Sequence, residues 1–179
     1  MKLMSKVINI VGSSSNVGKT YLLEGLIKEL KARGYSIATI KHDVHGFDID
    51  KKGKDTYKHR EAGSETVIIS SKNRLAMIKE LKEETELNDI IKMVLDKDII
   101  LVEGYKKSYL RKIEVFRNGV SDKIITPKEK IIAIASDIKL DIKDICKNLG
   151  LEEDEVIVYG NDKAKINLEI EKDLKDKEG

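Results

Sequence analysis

Apolar positions along the chain fall into two alternating rhythms, short continuous runs and runs at helical spacing. Residues 7–11 form an apolar run of the kind found at the centre of a parallel sheet. From Lys19 to Arg33, Leu22, Leu23, Leu26, Ile27 and Leu30 recur at helical spacing, and Gly34 supplies a stop. A second strand is predicted over 36–41, a short charged helix over 54–62 ended by Gly63, and a β-branched strand over 65–70. Residues 74–79 fit a strand or a helix, with a strand preferred. Residues 85–95 predict a helix with Thr85 as N-cap, and 99–102, 112–117 and 131–135 predict three more strands. Pro127 falls in a loop ahead of the last of these.

Strands alternating with helices predict an α/β domain of three layers around a mainly parallel central sheet. We place this domain at residues 1–150 and treat 151–179 as a C-terminal extension. Within the extension, 156–159 and 166–170 predict a β-hairpin across Gly160-Asn161-Asp162, followed by a Lys/Asp/Glu tail. In such sheets ligands collect at the carboxyl ends of the strands, so the polar residues following each strand are the place to look for chemistry.

The first strand runs into Gly12-Ser13-Ser14-Ser15-Asn16-Val17-Gly18-Lys19-Thr20-Tyr21. A loop of small residues can turn its amides inward around a phosphate, and the helix that follows adds its positive dipole end. Lys19 is placed for β- and γ-phosphate oxygens, and the Thr20 hydroxyl for Mg²⁺. This is the order of a P-loop NTPase fold, with one departure: five residues rather than four separate Gly12 from Gly18. That longer loop resembles those of the dethiobiotin synthetase and cobyrinate amide synthetase group, which keeps an ATP-dependent amidoligase as the alternative function.

Other strand ends supply the remaining candidates. After the 36–41 strand, Asp43 is the candidate for orienting water near a γ-phosphate, on a loop that also holds His42, His45 and Asp48. The spacing of the histidines argues against a transition-metal site. Lys41, Lys51, Lys52 and Lys54 are candidates for an anionic second ligand. Glu103 ends the 99–102 strand and is the second Mg²⁺ candidate, with Tyr105-Lys106-Lys107 close behind. Asp137, after the 131–135 strand, reads as either a guanine-binding acid or a helix N-cap, since the full Asn-Lys-x-Asp signal is absent. Cys146, with Ile142, Ile145 and Leu149, reads as core of a further helix.

Composition narrows the setting. With 179 residues, Lys+Arg 34 and Asp+Glu 32, the net charge of +2 offers no field favouring nucleic acid or a membrane surface. A single cysteine forms no intrachain disulfide, and the start has neither signal-peptide pattern nor spanning segment, so a cytoplasmic protein is expected.

Taken in order, Gly18-Lys19-Thr20, Thr39-Ile40-Lys41-His42-Asp43 with His45-Gly46-Phe47-Asp48, and Gly53-Lys54-Asp55-Thr56-Tyr57 with Arg60-Glu61-Ala62-Gly63 form one pattern. It continues through Leu101-Val102-Glu103-Gly104-Tyr105-Lys106, Lys112-Ile113-Glu114-Val115-Phe116-Arg117 and Ala135-Ser136-Asp137. This pattern resembles the molybdopterin-guanine dinucleotide biosynthesis protein B (MobB) family over residues 6–137. The resemblance implies a homodimeric GTP-binding protein with Mg²⁺ and weak GTPase activity. It would be accessory to the MobA-type nucleotidyltransferase that makes molybdopterin guanine dinucleotide for the molybdenum or tungsten cofactor. The basic loop at 51–54 and Lys106-Lys107 are then candidates for a pterin phosphate or a partner. Arg60 and Arg111 are the arginines weighed for a transition-state role. A nucleotide-gated adaptor for cofactor delivery, with turnover irrelevant, is the third reading.

Overall fold

The computed structural model describes residues 5–137, 156–159 and 163–166. Nine strands alternate with helices among these residues: β1 Lys6–Gly12, α1 Lys19–Ala32, β2 Ile37–Lys41, α2 Asp55–Glu61, β3 Thr66–Ser71, β4 Arg74–Lys79, α3 Leu87–Lys92, β5 Ile99–Glu103, β6 Lys112–Phe116, β7 Ile131–Ser136, β8 Val156–Tyr159 and β9 Lys163–Ile166. Seven of the strands make one sheet in the order β2-β5-β1-β6-β7-β9-β8. The first five in that order run parallel, and β9 and β8 close one edge antiparallel. This is the α/β fold with a mainly parallel sheet that the alternation predicts.

The described residues divide into two compact units, one containing the chain up to His42 and from Val94 onward, the other Asp43–Met93. In the first, β5 and β1 are central, and β5 is buried along its whole length. Such burial on both faces is why these strands read as continuous apolar runs. Ile10, Val17, Leu23, Ile99, Leu101 and Val115 form a core against which Leu22, Leu26, Ile27 and Leu30 of α1 pack. In the second unit, β3 and β4 pair as an antiparallel hairpin from Thr66 opposite Lys79 to Ser71 opposite Arg74. That settles residues 74–79 as a strand.

Two segments differ from expectation by more than a residue. Helix α3 has six residues and begins after Glu86, whose carbonyl accepts from Asp89 and Ile90, so Thr85 is not its N-cap. Only Leu87 and Ile91 of that segment are buried, one turn apart, which leaves no long apolar stripe to extend the helix. The second strand of the C-terminal hairpin begins at Lys163 rather than Ile166, with Tyr159 opposite Lys163. The helix expected around Cys146 lies outside the described residues.

Candidate functional site

The Gly12–Gly18 loop rests on two glycine positions. A Cβ at Gly12 would meet Val17 Cγ2 at 2.5 Å and the Val115 carbonyl at 3.1 Å, so only glycine lets buried Val17 fold beneath the loop. Gly18 adopts φ +104° and forms the N-cap of α1 with no side chain capping it. The first amides of α1 have no acceptor within the helix, as at any helix start. Asn16 also lies in the left-handed region, at φ +62°.

Three cations from three parts of the chain fasten on carbonyls of this loop. Lys19 Nζ donates to the Ser14 carbonyl at 3.0 Å, and Lys106 Nζ to the Ser13 carbonyl at 2.8 Å. Arg117 Nη1 donates to the Asn16 carbonyl at 3.2 Å. The Ser14 hydroxyl donates to the Ser15 carbonyl at 3.3 Å, whereas the Ser13 hydroxyl is buried with no hydrogen-bond partner among the described residues. Thr20 and Tyr21 are exposed.

Glu103 is buried at the carboxyl end of β5, in register with Ile10 of β1 and Lys41 of β2. Burial holds the Lys19 ammonium below the usual lysine range; Glu103 opposes that shift, and the charges of Lys106 and Lys41 add to it. Glu103, Lys41 and Lys106 thus all act on the Lys19 charge.

Lys106 reaches the loop because the chain turns sharply after Glu103. Gly104 has φ +91° and Tyr105 φ +46°, and a Cβ at Gly104 would stand 3.1 Å from that of His42. The Tyr105 ring stacks on the His42 imidazole, centroids 4.2 Å apart and planes at 22°. Beneath this turn, Asn9 Nδ2 donates to the Tyr105 carbonyl at 3.2 Å and the Ser108 hydroxyl at 2.9 Å. Lys112, 1 % exposed, donates to the carbonyls of Ser108 at 2.7 Å and Leu110 at 2.8 Å. Burial, with Lys130 nearby, lowers its affinity for a proton. In the same strand Glu114 accepts the amides of Ile125 and Thr126, both at 2.8 Å.

At the next strand end, Asp137 Oδ1 accepts the Asn118 amide at 2.9 Å, and its Oδ2 lies 3.9 Å from Arg117 Nε. Asp43 belongs to the second unit, where its carboxylate accepts the His45 amide at 3.0 Å in a tight turn. Arg60 of that unit is held by Glu80 at 2.7 Å, Asp50 at 3.5 Å and Asp48 at 3.8 Å. Lys51, Lys52 and Lys54 are exposed there. Among the described residues no group of three or more His, Cys, Asp or Glu side chains is placed to hold a metal ion.

The family description "Molybdopterin guanine dinucleotide synthesis protein B", MobB, matches residues 7–137. The chain belongs to the MobB family. It is 40% identical over 137 residues to the molybdopterin-guanine dinucleotide biosynthesis adapter protein of Escherichia coli (strain K12), covering 72% of this chain and 77% of that protein. It is 36% identical over 139 residues to the protein of the same description from Haemophilus influenzae, with 76% and 77% covered. The crystal structure of Bacillus subtilis MobB superposes with a TM-score of 0.61 at 22% identity, covering 82% of this chain and 87% of that one. MobB membership resolves the ambiguity left by the loop spacing, which taken alone also fits the dethiobiotin synthetase group.

Asn9 was not among the expected site residues, and Lys112 and Arg117 entered only as members of the family pattern, with no role given to them. Asn9 and Lys112 had a signal, a polar residue inside a strand that the topology buries. Arg117 had none, because its partner is a backbone carbonyl 101 residues away.

Proposed function

We propose that this chain is an adapter in molybdopterin guanine dinucleotide synthesis that binds GTP with Mg²⁺ at the Gly12–Gly18 loop. The observation that carries the reading is the loop itself, a glycine-hinged turn before an uncapped helix start, with Lys19 and Lys106 over it and the buried Ser13 hydroxyl left for a ligand oxygen. That donor set suits a polyphosphate, since it offers amides, ammonium groups and a hydroxyl, with the Glu103 carboxylate acting on Lys19. Thr20 and Glu103 would hold Mg²⁺, which when bound offsets the charge of the β- and γ-phosphates. Asp137 would read guanine: a carboxylate has room for more acceptor bonds than the one taken by Asn118.

Weak hydrolysis with Asp43 orienting water belongs to the same proposal and rests on sequence alone. So do a cytoplasmic location and partnership with a MobA-type nucleotidyltransferase, with molybdopterin or its guanine dinucleotide as the second ligand. A homodimer is supported by exposed Ile68, Ile69, Leu75 and Met77 on the β3–β4 hairpin, apolar surface of the kind that pairing covers.

The test is calorimetric titration with GTP and with ATP, each with Mg²⁺, using Lys19→Ala as control. A GTP preference that Lys19→Ala abolishes is the expected result. Preference for ATP, or binding indifferent to Lys19, would overturn the assignment.

A further inference from the structure

We propose that Lys106 is a second phosphate-binding cation, directed at the terminal phosphate, so that the site distinguishes a nucleoside triphosphate from a diphosphate. The inference rests on the loop being a nucleotide site. Lys106 and Lys19 bond consecutive carbonyls, those of Ser13 and Ser14, at the strand end of the loop. In phosphate loops the lysine opening the helix serves the β- and γ-phosphates, whereas the amides around the helix start cradle the inner phosphates. An ammonium fastened to the carbonyl one residue before that of Lys19, further along the chain from α1, is thereby placed for the terminal phosphate.

Several features argue that Lys106 is aimed rather than merely extended over the surface. Its backbone is fixed by two consecutive positive-φ residues, Gly104 and Tyr105, a conformation that costs free energy in a non-glycine residue. Asn9 holds the Tyr105 carbonyl, Asn9 and Lys112 together hold Ser108 three residues on, and the Tyr105 ring stacks on His42. The charges also leave an anion wanting. Lys106 and Lys41 both oppose the charge on Lys19, with Glu103 alone acting the other way. A carbonyl bond occupies one of the three donors on each ammonium and leaves two for phosphate oxygens.

The experiment measures dissociation constants for GTP, GDP and GMP with Mg²⁺ on the wild-type chain, Lys106→Gln, Lys106→Arg and Lys19→Ala. Gln keeps an N–H donor, on a side chain one bond shorter, but carries no charge. A charge-assisted contact to the γ-phosphate predicts that Lys106→Gln weakens GTP about tenfold to a hundredfold and GDP by less than about threefold. Lys106→Arg, which keeps the charge, should recover part of the GTP affinity. Equal losses for GTP and GDP would assign Lys106 to fastening the loop and overturn the proposal, as would no loss at all. If the wild-type chain binds none of the nucleotides, the nucleotide site and this inference fall together. If Lys19-dependent GTP binding survives Lys106→Gln with the GTP-to-GDP ratio unchanged, only this inference falls. Melting curves of each variant separate a lost contact from a lost fold.

Discussion

The Lys19 pKa is lowered first by burial and then by two neighbouring ammonium groups, so its proton is a sensitive reporter of what enters the site. A bound polyphosphate favours the charged lysine and raises its pKa. Between the free-site value, which lies below 10.5, and the higher bound value, binding must take up a proton. Affinity should accordingly be flat with pH below the free-site value and fall as pH rises through it. Titrations with GTP across a series of alkaline pH values, each in two buffers of different ionisation enthalpy, should show net proton uptake between the free and bound Lys19 pKa values. Absence of uptake at alkaline pH would mean that the Lys19 ammonium does not meet the ligand. Lys19 itself was legible in the sequence because Gly-Lys-Thr after a strand has a known physical use. Its setting was not, since Lys41, Glu103 and Lys106 approach it from strand ends scattered through 66 residues of chain.

At the scale of single elements, what could be read in advance was what repeats. Helix α1 shows a clean apolar period and a glycine stop, and it forms within a residue of its expected limits. Helix α3 has two buried positions, and its limits could not be read from so short a stripe. The β5–β6 connection was legible as an acid after an apolar strand but not as a turn that delivers Lys106, because its shape depends on His42 of a different strand end. Two glycines provide a contrast. Gly104→Ala must hold φ near +91° and place a methyl 3.1 Å from His42 Cβ, so a loss of about 1–2 kcal/mol is expected, together with weaker GTP binding. Gly25→Ala lies in the interior of α1 with nothing within 4 Å, and should instead stabilise by about 0.5–1 kcal/mol without altering the site. Denaturant unfolding of the two variants checks both signs; a neutral Gly104→Ala would show that the turn is not under constraint.

For the whole molecule, the alternation of strands and helices conveyed a mainly parallel sheet but not its order, which depends on crossovers that no local pattern encodes. Nor did it convey that the sheet continues past β7. The family match ends at residue 137, one residue beyond β7, yet β9 pairs with β7 through Ala133, Ile134 and Ala135, and β8 pairs with β9. The proposed nucleotide loop and the sheet closure thus lie in different parts of the chain. The loop and its three cations all precede residue 137, whereas the antiparallel pair covers an edge that would otherwise present unpaired amides and carbonyls beside half-buried Ala133 and Ala135. A chain ending at Asp137 should retain Lys19-dependent GTP binding within about threefold, because the described side chains fastened to the loop, Lys19, Lys106 and Arg117, all remain. It should melt roughly 5–10 °C lower, the shift expected for about 2–3 kcal/mol in a domain of this size, and aggregate more readily as concentration rises. Differential scanning calorimetry beside the GTP titration reads both consequences. Loss of binding at unchanged melting temperature would instead place part of the nucleotide site beyond residue 137.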